Sequence, residues 1–228
     1  HKSICEPLCQ DDIRQVLSYK KEERNFPAKE DIVLQGSHST ELMTILEGWA
    51  FNYQTTTDGA RQITKFTLPG DFVGFSVDTD VPLAYSVQTL TPTRVCVFDH
   101  GRFYELLRDH SGLAVKLIWM VSREEMRLQK LLTMVSRRPA LERLALLLLD
   151  ISCRAEGCSH TSVSGRKVDL PITQEHMADA LGLTPIHINR MLRKLRNAGI
   201  LSLKHGVLRI LDPQRITDNW GFEHEGEP

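Results

Sequence analysis

Residues 171–195, PITQEHMADALGLTPIHINRMLRKL, constrain this chain more than any other stretch, because their signals fix two helices and the turn between them. Thr173 predicts a helix N-cap, with Ile172 and Met177 as the apolar pair that staples the entry. Met177, Ala178 and Leu181 follow at helical spacing, and Gly182 supplies a left-handed stop. Thr184 then caps a second helix with Pro185 in its first turn, where the missing N–H costs nothing. Ile188, Met191, Leu192 and Leu195 form one apolar stripe along that helix. The opposite face carries Ile186, Arg190, Arg193 and Asn197, flanked by His187, Asn189 and Lys194. Amide and guanidinium groups on the outside of such a helix are what contact with base edges and phosphates requires. A helical hairpin with a solvated basic face would show the same local pattern, so the remainder of the chain must decide.

Charge supports the nucleic-acid reading. The 228 residues carry a net charge of only −1, but residues 137–216 hold 13 Lys and Arg against 7 Asp and Glu. Residues 1–136 hold 15 against 18, and residues 217–228 hold none against 4. A basic C-terminal module joined to a mildly acidic one suggests that one half meets a polyanion and the other does not. No apolar run approaches the length that spans a bilayer, and no secretory signal is visible, so the expected setting is cytoplasmic with no membrane partner. The chain opens on His rather than Met, from which further sequence is expected upstream of His1.

The turn signals give the organisation. Residues 11–25 read as a short polar helix with Ile13, Val16 and Leu17 on one side. From 26 to 98, short strands are punctuated by Gly36, Gly48, Asp58-Gly59, Pro69-Gly70-Asp71 and Thr91-Pro92, the rhythm of a small antiparallel roll. Phe103, Leu106 and Leu107 mark a short helix that leads into a long one over 111–136. There Leu113, Leu117, Met120, Val121, Glu124, Leu128, Leu131 and Val135 recur at steps of three and four, which predicts a dimerisation seam. At about 1.5 Å per residue this helix is near 40 Å long, more than a small roll can cover. Arg137-Arg138-Pro139 breaks it, ALERLALLLLDISCRA reads as an apolar core helix, and 155–168 as a polar loop. Two short strands about His205-Gly206 complete a wing. The predicted class is therefore α+β: a sensory β-roll with its N-terminal helix (1–110), a dimerisation helix (111–136), a winged helix–turn–helix (137–216) and an acidic tail (217–228). A dimer of such modules reads two half-sites about one helical turn apart.

This order of parts resembles the Crp/Fnr family of transcription regulators over essentially the whole chain. The stretches that carry the likeness are ILEGWAFNYQTTTDGARQITKFTLPGDFVGF, SRRPALERLALLLL and LPITQEHMADALGLTPIHINRMLRKLR. The resemblance implies a cyclic-nucleotide-binding-like roll as sensor, a homodimer, double-stranded DNA as partner, recruitment or blocking of RNA polymerase, and no catalysis. Members that bind cyclic AMP carry Gly-Glu-Leu and, further on, Arg-Ser; here Gly74-Phe75-Ser76 and Ala84-Tyr85 stand at those places. A phosphate held in an apolar roll without its arginine is an unpaired charge, which argues against a cyclic nucleotide.

The likeness is closer to the oxygen-sensing FNR branch, whose members hold an iron–sulfur cluster on cysteines. Cys96 falls at the distant ligand and Cys5 at the last cysteine of the N-terminal group, with Cys9 as a conceivable third and further ligands upstream of His1. A [4Fe–4S] cluster takes four thiolates, and two match. A buried strand cysteine and a bystander would look the same; Cys153, Cys158 and His160 read as structural. The reading helix departs from the branch too, with Ile186 and Asn189 where Glu and Ser stand, and Arg190 retained. The expected DNA-contacting set is Thr173, Gln174, Thr184, Ile186, His187, Asn189, Arg190, Arg193, Lys194 and His205. In it Arg190 takes guanine, Ile186 suits a thymine methyl, and Arg193, Lys194 and His205 meet phosphate. The rivals are the same regulator sensing another small molecule or none, and, remotely, a cupin-like metalloenzyme, for which the isolated His38 and His100 are poor ligands.

Overall fold

A computed structural model of the chain describes residues 10–74, 79–160 and 162–220. It falls into two compact units, one ending at Lys130 and the other beginning at Leu131.

Among the described residues, the first unit has α1 (Gln10–Ser18) followed by eight strands: β1 (Glu22–Phe26), β2 (Asp31–Val33), β3 (Glu41–Glu47), β4 (Ala50–Thr55), β5 (Arg61–Thr67), β6 (Phe72–Val73), β7 (Ser86–Thr89) and β8 (Thr93–Asp99). They pair antiparallel in two four-stranded sheets, ordered β1-β8-β3-β6 and β2-β7-β4-β5. Residues 11–25 are thus not one helix. The helix stops at Ser18, and Glu22–Phe26 alternate in burial as the edge strand on β8.

The same alternation gives β3 and β8 two buried faces. Met43, Ile45, Val95 and Val97 point into the core between the sheets. Leu42, Cys96 and Phe98 point the other way, under a cover of helices. Strands covered on both sides read as continuous apolar runs, which is why ELMTILE and TRVCVFD show little polar alternation. One turn has no choice of residue. At Gly48, with φ +90°, an added Cβ would lie 2.4 Å from the Pro92 carbonyl oxygen.

The cover consists of α1, α2 (His100–Asp109) and the start of α3 (Ser111–Arg137). Asp99 caps α2 by accepting a hydrogen bond from the Gly101 amide. Phe103 and Leu106 of α2 are buried on the outer sheet face together with Leu113 of α3, while Val16, Tyr19 and Leu117 pack around them. Lys116 pairs with Asp12, tying α3 to α1.

Here the predicted seam needs correction. Leu113 is spent inside its own roll, and Leu117 packs half-buried beside it. Glu124 accepts from Lys65 of β5 at 2.8 Å and from Arg127 at 3.1 Å, a tie between roll and helix. Met120 and Leu131 are half-buried. Of the apolar side chains left in solvent, Ile118, Val121, Leu128, Leu132 and Val135 recur at steps of three and four with Glu125 in the gap, and Val115, Trp119 and Met126 are exposed as well. Two adjacent stripes share this helix, and a single period read along the sequence slides from the roll-facing stripe onto the outer one at Val121.

In the second unit, α4 (Ala140–Glu156) is the core, with Leu144–Leu149 and Ile151–Cys153 buried on either side of a half-buried Asp150. The rest is β9 (Val168–Asp169), α5 (Gln174–Leu181), α6 (Pro185–Asn197), β10 (Leu201–Lys204), β11 (Val207–Ile210) and α7 (Pro213–Trp220). The loop expected over 155–168 is only partly polar: Val163 is buried, and Val168 enters β9, which adds to the wing in the order β10-β11-β9. The tail expected from 217 begins later. Ile216 and Thr217 are buried within α7, and Arg215 donates to the Ala198 carbonyl that ends α6. Among the described residues, no helix is long and apolar enough to cross a membrane.

Candidate nucleic-acid interface

The two helices of the C-terminal unit are set by their ends. Thr173 accepts from the His176 amide, and His176 returns the bond by accepting the Thr173 amide on Nδ1, a closed capping box. Ile172 and Met177 are both buried at this entry, the staple expected from sequence. Gly182 (φ +63°) turns the chain in the left-handed conformation that ends α5. Thr184 then accepts from the His187 amide, and Pro185 opens α6. Arg143 of α4 bridges the C-terminal ends of two helices, donating to the carbonyls of Val135 and Leu181, each at 3.3 Å. The turn from α5 into α6 is therefore set by Gly182 and the Thr184 cap, while Arg143 ties the end of α5 to the end of α3.

The face this produces is sharply divided. Ile188, Met191, Leu192 and Leu195 are buried, while Ile186, Asn189, Arg190, Arg193 and Lys194 are exposed. Ile186 is 84% exposed, a large apolar side chain in water at the start of the helix. At about 25 cal/mol per Å² such a side chain is favourably covered by an apolar group such as a thymine methyl. Of the other expected contacts, His187 and Gln174 are half-buried, Thr173 and Thr184 exposed at the helix starts, and His205 exposed at the tip of the wing. His205 (φ +50°) and Gly206 (φ +77°) form the two-residue turn joining β10 to β11.

A cleft of about 330 Å³ lies between α5, α6 and the wing, lined among others by Gln174, Asn189, Arg196, Leu203 and His205. Across it the Asn189 amide nitrogen donates to Gln174 Oε1 at 3.2 Å. Sequence reasoning did not single out Arg196, which falls outside the reading stripe, nor His176, because a capping box is normally sought with Glu or Gln at that place. Arg143 was invisible for another reason: its partners are backbone carbonyls far apart in sequence.

The roll shows a different arrangement at its expected site. Cys96 is 4% exposed, packed with Leu42, Phe98, Leu106 and Leu113, and burial pushes its thiol up to about 11. Cys5 and Cys9 lie outside the described residues. Among the described residues no three His, Cys, Asp or Glu side chains are grouped to hold a metal. Tested against a [4Fe–4S] cluster, these residues supply one thiol, held neutral in an apolar setting, so the described part does not by itself fit the group. Cys153 and Cys158 are also raised by burial. His38 meets the Thr79 carbonyl at 3.0 Å and His100 meets the Tyr104 ring edge to face. At the cyclic-nucleotide positions, the Ala84 carbonyl accepts from Gln54, and Tyr85 packs against the roll core; Phe75 and Ser76 lie outside the described residues.

Comparison with known proteins agrees with both halves. Residues 142–218 match the family described as the Crp-like helix-turn-helix domain, and residues 23–110 the cyclic nucleotide-binding domain. The chain is 30% identical to the fumarate and nitrate reduction regulatory protein of Vibrio cholerae, over 95% of this chain and 84% of that protein. It is 28% identical to the transcriptional activator protein FnrL of Cereibacter sphaeroides, over 99% and 91%. Among solved structures, FixK2 from Bradyrhizobium japonicum superposes with a TM-score of 0.76 at 25% identity, covering 86% of this chain and 96% of that one.

Proposed function

The chain belongs to the Crp/Fnr family of transcription regulators, in its FNR-like branch, and on that premise we propose that it is a homodimer that reads a palindromic operator by laying α6 in the major groove. Its relatives are regulators rather than enzymes, which sets the metalloenzyme alternative aside. One observation carries the proposal: Ile186, Asn189, Arg190, Arg193 and Lys194 stand exposed along a helix whose opposite face is core. Arg190 takes the O6 and N7 of a guanine, Ile186 covers a thymine methyl, and Arg193, Lys194 and His205 meet phosphates. Thr173 and Thr184 place helix starts near the backbone, and His187 supports the first turn of α6. The exposed stripe Ile118, Val121, Leu128, Leu132 and Val135 is the surface a second copy covers. The regulator acts in the cytoplasm, with RNA polymerase as the partner that its bound dimer recruits or blocks.

The test is selection of sites from random double-stranded DNA by the full-length protein. The expected result is a palindrome with half-sites about 10–10.5 base pairs apart, centre to centre, and an affinity that falls steeply with salt. Recovery of no common sequence at low salt contradicts the assignment.

For the roll, the finer reading is an oxygen or redox response through a [4Fe–4S] cluster held by Cys5, Cys96 and ligands upstream of His1. The likeness to FnrL and to the fumarate and nitrate reduction regulator supports it. The burial of Cys96 among apolar side chains favours the second reading, the same regulator answering another small molecule or none. With Ala84 and Tyr85 where an arginine and its neighbour are needed, that molecule is not a cyclic nucleotide. Anaerobically purified protein that is brown, contains iron and sulfide and bleaches in air carries the first reading. Colourless protein with full operator affinity carries the second.

A further inference from the structure

Gln174 and Asn189 come from different helices of the reading module and meet through one hydrogen bond, from Asn189 Nδ2 to Gln174 Oε1 at 3.2 Å. Gln174 is the first residue of α5, directly after its cap, and Asn189 lies on the exposed face of α6. Both border the cleft that Arg196 and His205 also line. An amide carries one acceptor and one two-hydrogen donor, so a bond made at one end dictates what the other end can offer.

Resting on the reading that α6 enters the major groove, we propose that Gln174 is a specificity-determining positioning residue: it orients the Asn189 amide so that this side chain reads adenine. The polarity follows from the acceptor-only character of phosphate. A phosphate seated beside Arg196 and His205 draws donors, so Gln174 turns Nε2 toward it and keeps Oε1 for Asn189. Asn189 then spends one Nδ2 hydrogen on Gln174. What remains to face the bases is Oδ1 and the Nδ2 hydrogen on the same side as that oxygen. An acceptor and a donor side by side complement the N6 amino group and N7 of adenine. Guanine offers two acceptors, cytosine one donor, and thymine one acceptor with a methyl group. Without Gln174, the Asn189 amide is free to turn over and present its two groups in either order. The relay runs phosphate, Gln174, Asn189, base, and it makes a backbone contact responsible for a base preference.

The experiment is site selection followed by equilibrium binding, with the full-length protein, Gln174→Ala, Gln174→Glu and Asn189→Ala. The DNA carries each of the four base pairs at each position of the half-site. The expected wild-type result is a preference for adenine at one position, of roughly 5- to 150-fold, next to the guanine assigned to Arg190. Gln174→Ala is expected to cut the adenine preference to about 3-fold or less while leaving the guanine preference intact. Asn189→Ala is expected to abolish the same preference, and adding Gln174→Ala to it to change nothing more at that position. Gln174→Glu keeps the acceptor but meets the phosphate with a charge, so it is expected to weaken all sequences alike and hold the adenine preference. Uniform weakening by Gln174→Ala with adenine preference unchanged overturns the relay and leaves Gln174 a backbone contact. A different base preferred opposite Asn189 overturns it too, with the DNA-reading assignment still standing on Arg190. Absence of preference at every position in the wild-type protein overturns both.

Discussion

In the C-terminal module the side chains with chemistry to offer stand outside a helix whose inner face is core; in the roll, the thiol expected to do chemistry is itself core. Arg190, Asn189 and Lys194 are exposed where a partner can reach them. Cys96 is closed in by Leu42, Phe98, Leu106 and Leu113, and becomes available to a ligand only if that packing opens. The contrast teaches that the module presents its polar side chains outward, whereas the roll keeps the thiol expected to sense within its own packing. It also separates the two kinds of substitution: on α6 they change recognition at little cost in stability, in the roll they change stability first.

The largest effect that tests the contrast is in the module core. Leu148→Ala removes a fully buried side chain of α4 and is expected to destabilise that unit by about 2–5 kcal/mol. Hydrogen exchange should show faster exchange in α4–α6 and little change in the roll strands, and equal loosening of both would deny that the units are separate bodies. Next comes the outer stripe of α3. Replacing Leu128 and Leu132 together with Arg places unpaired charge in the proposed dimer seam, with an expected cost of about 3 kcal/mol or more, over a hundredfold in the dimer constant. Sedimentation should show monomers. Leu113→Arg should instead unfold the roll, because its side chain is already buried there.

Cys96 gives a smaller, pH-dependent effect. Its folded thiol is raised to about 11 from an ordinary value near 9, so the neutral form is the one the fold accepts. The contribution is complete below pH 9 and is lost as the pH rises from about 9 to about 11, where the unfolded chain ionises first; two units correspond to at most about 2–3 kcal/mol. Denaturation of wild type and Cys96→Val across that range should show a larger loss in the wild type, because the other buried thiols and tyrosines contribute equally to both. Parallel curves would mean that the thiol is not held in an apolar site. The smallest effect belongs to Lys194→Ala, which should lower affinity for all sequences alike and reduce the slope of log affinity against log salt by about one unit.

What could be read in the sequence divides along the same line. Caps, turn glycines and the apolar stripe of α6 are local signals, and Thr173, Gly182, Thr184 and the row from Ile188 to Leu195 stand in the structure as the pattern predicts. The roll was legible as a roll, because its turns are marked by Gly and Pro. Its first strand was not, because EERNF carries no turn signal before it and pairs with a strand seventy residues away. On α3 the one period joined two faces: Leu113 and Leu117 pack on the roll, while Val121, Leu128 and Val135 stand exposed. Whether Leu113 or Ile118 faces the roll depends on where β8 and α2 lie, which no window of α3 contains. Arg143 and the Gln174–Asn189 bond were hidden for the same reason: each links helices through groups whose meeting is decided by packing.

The central claim is that α6 reads sequence from its exposed face, and Arg190→Ala in parallel site selections tests it most directly. The account predicts an affinity loss of roughly 1–3 kcal/mol on the wild-type operator and a relaxed requirement at one guanine in each half-site, with every other position unchanged. If Arg190→Ala recovers the wild-type sequence with the same guanine preference, α6 is not the reading element.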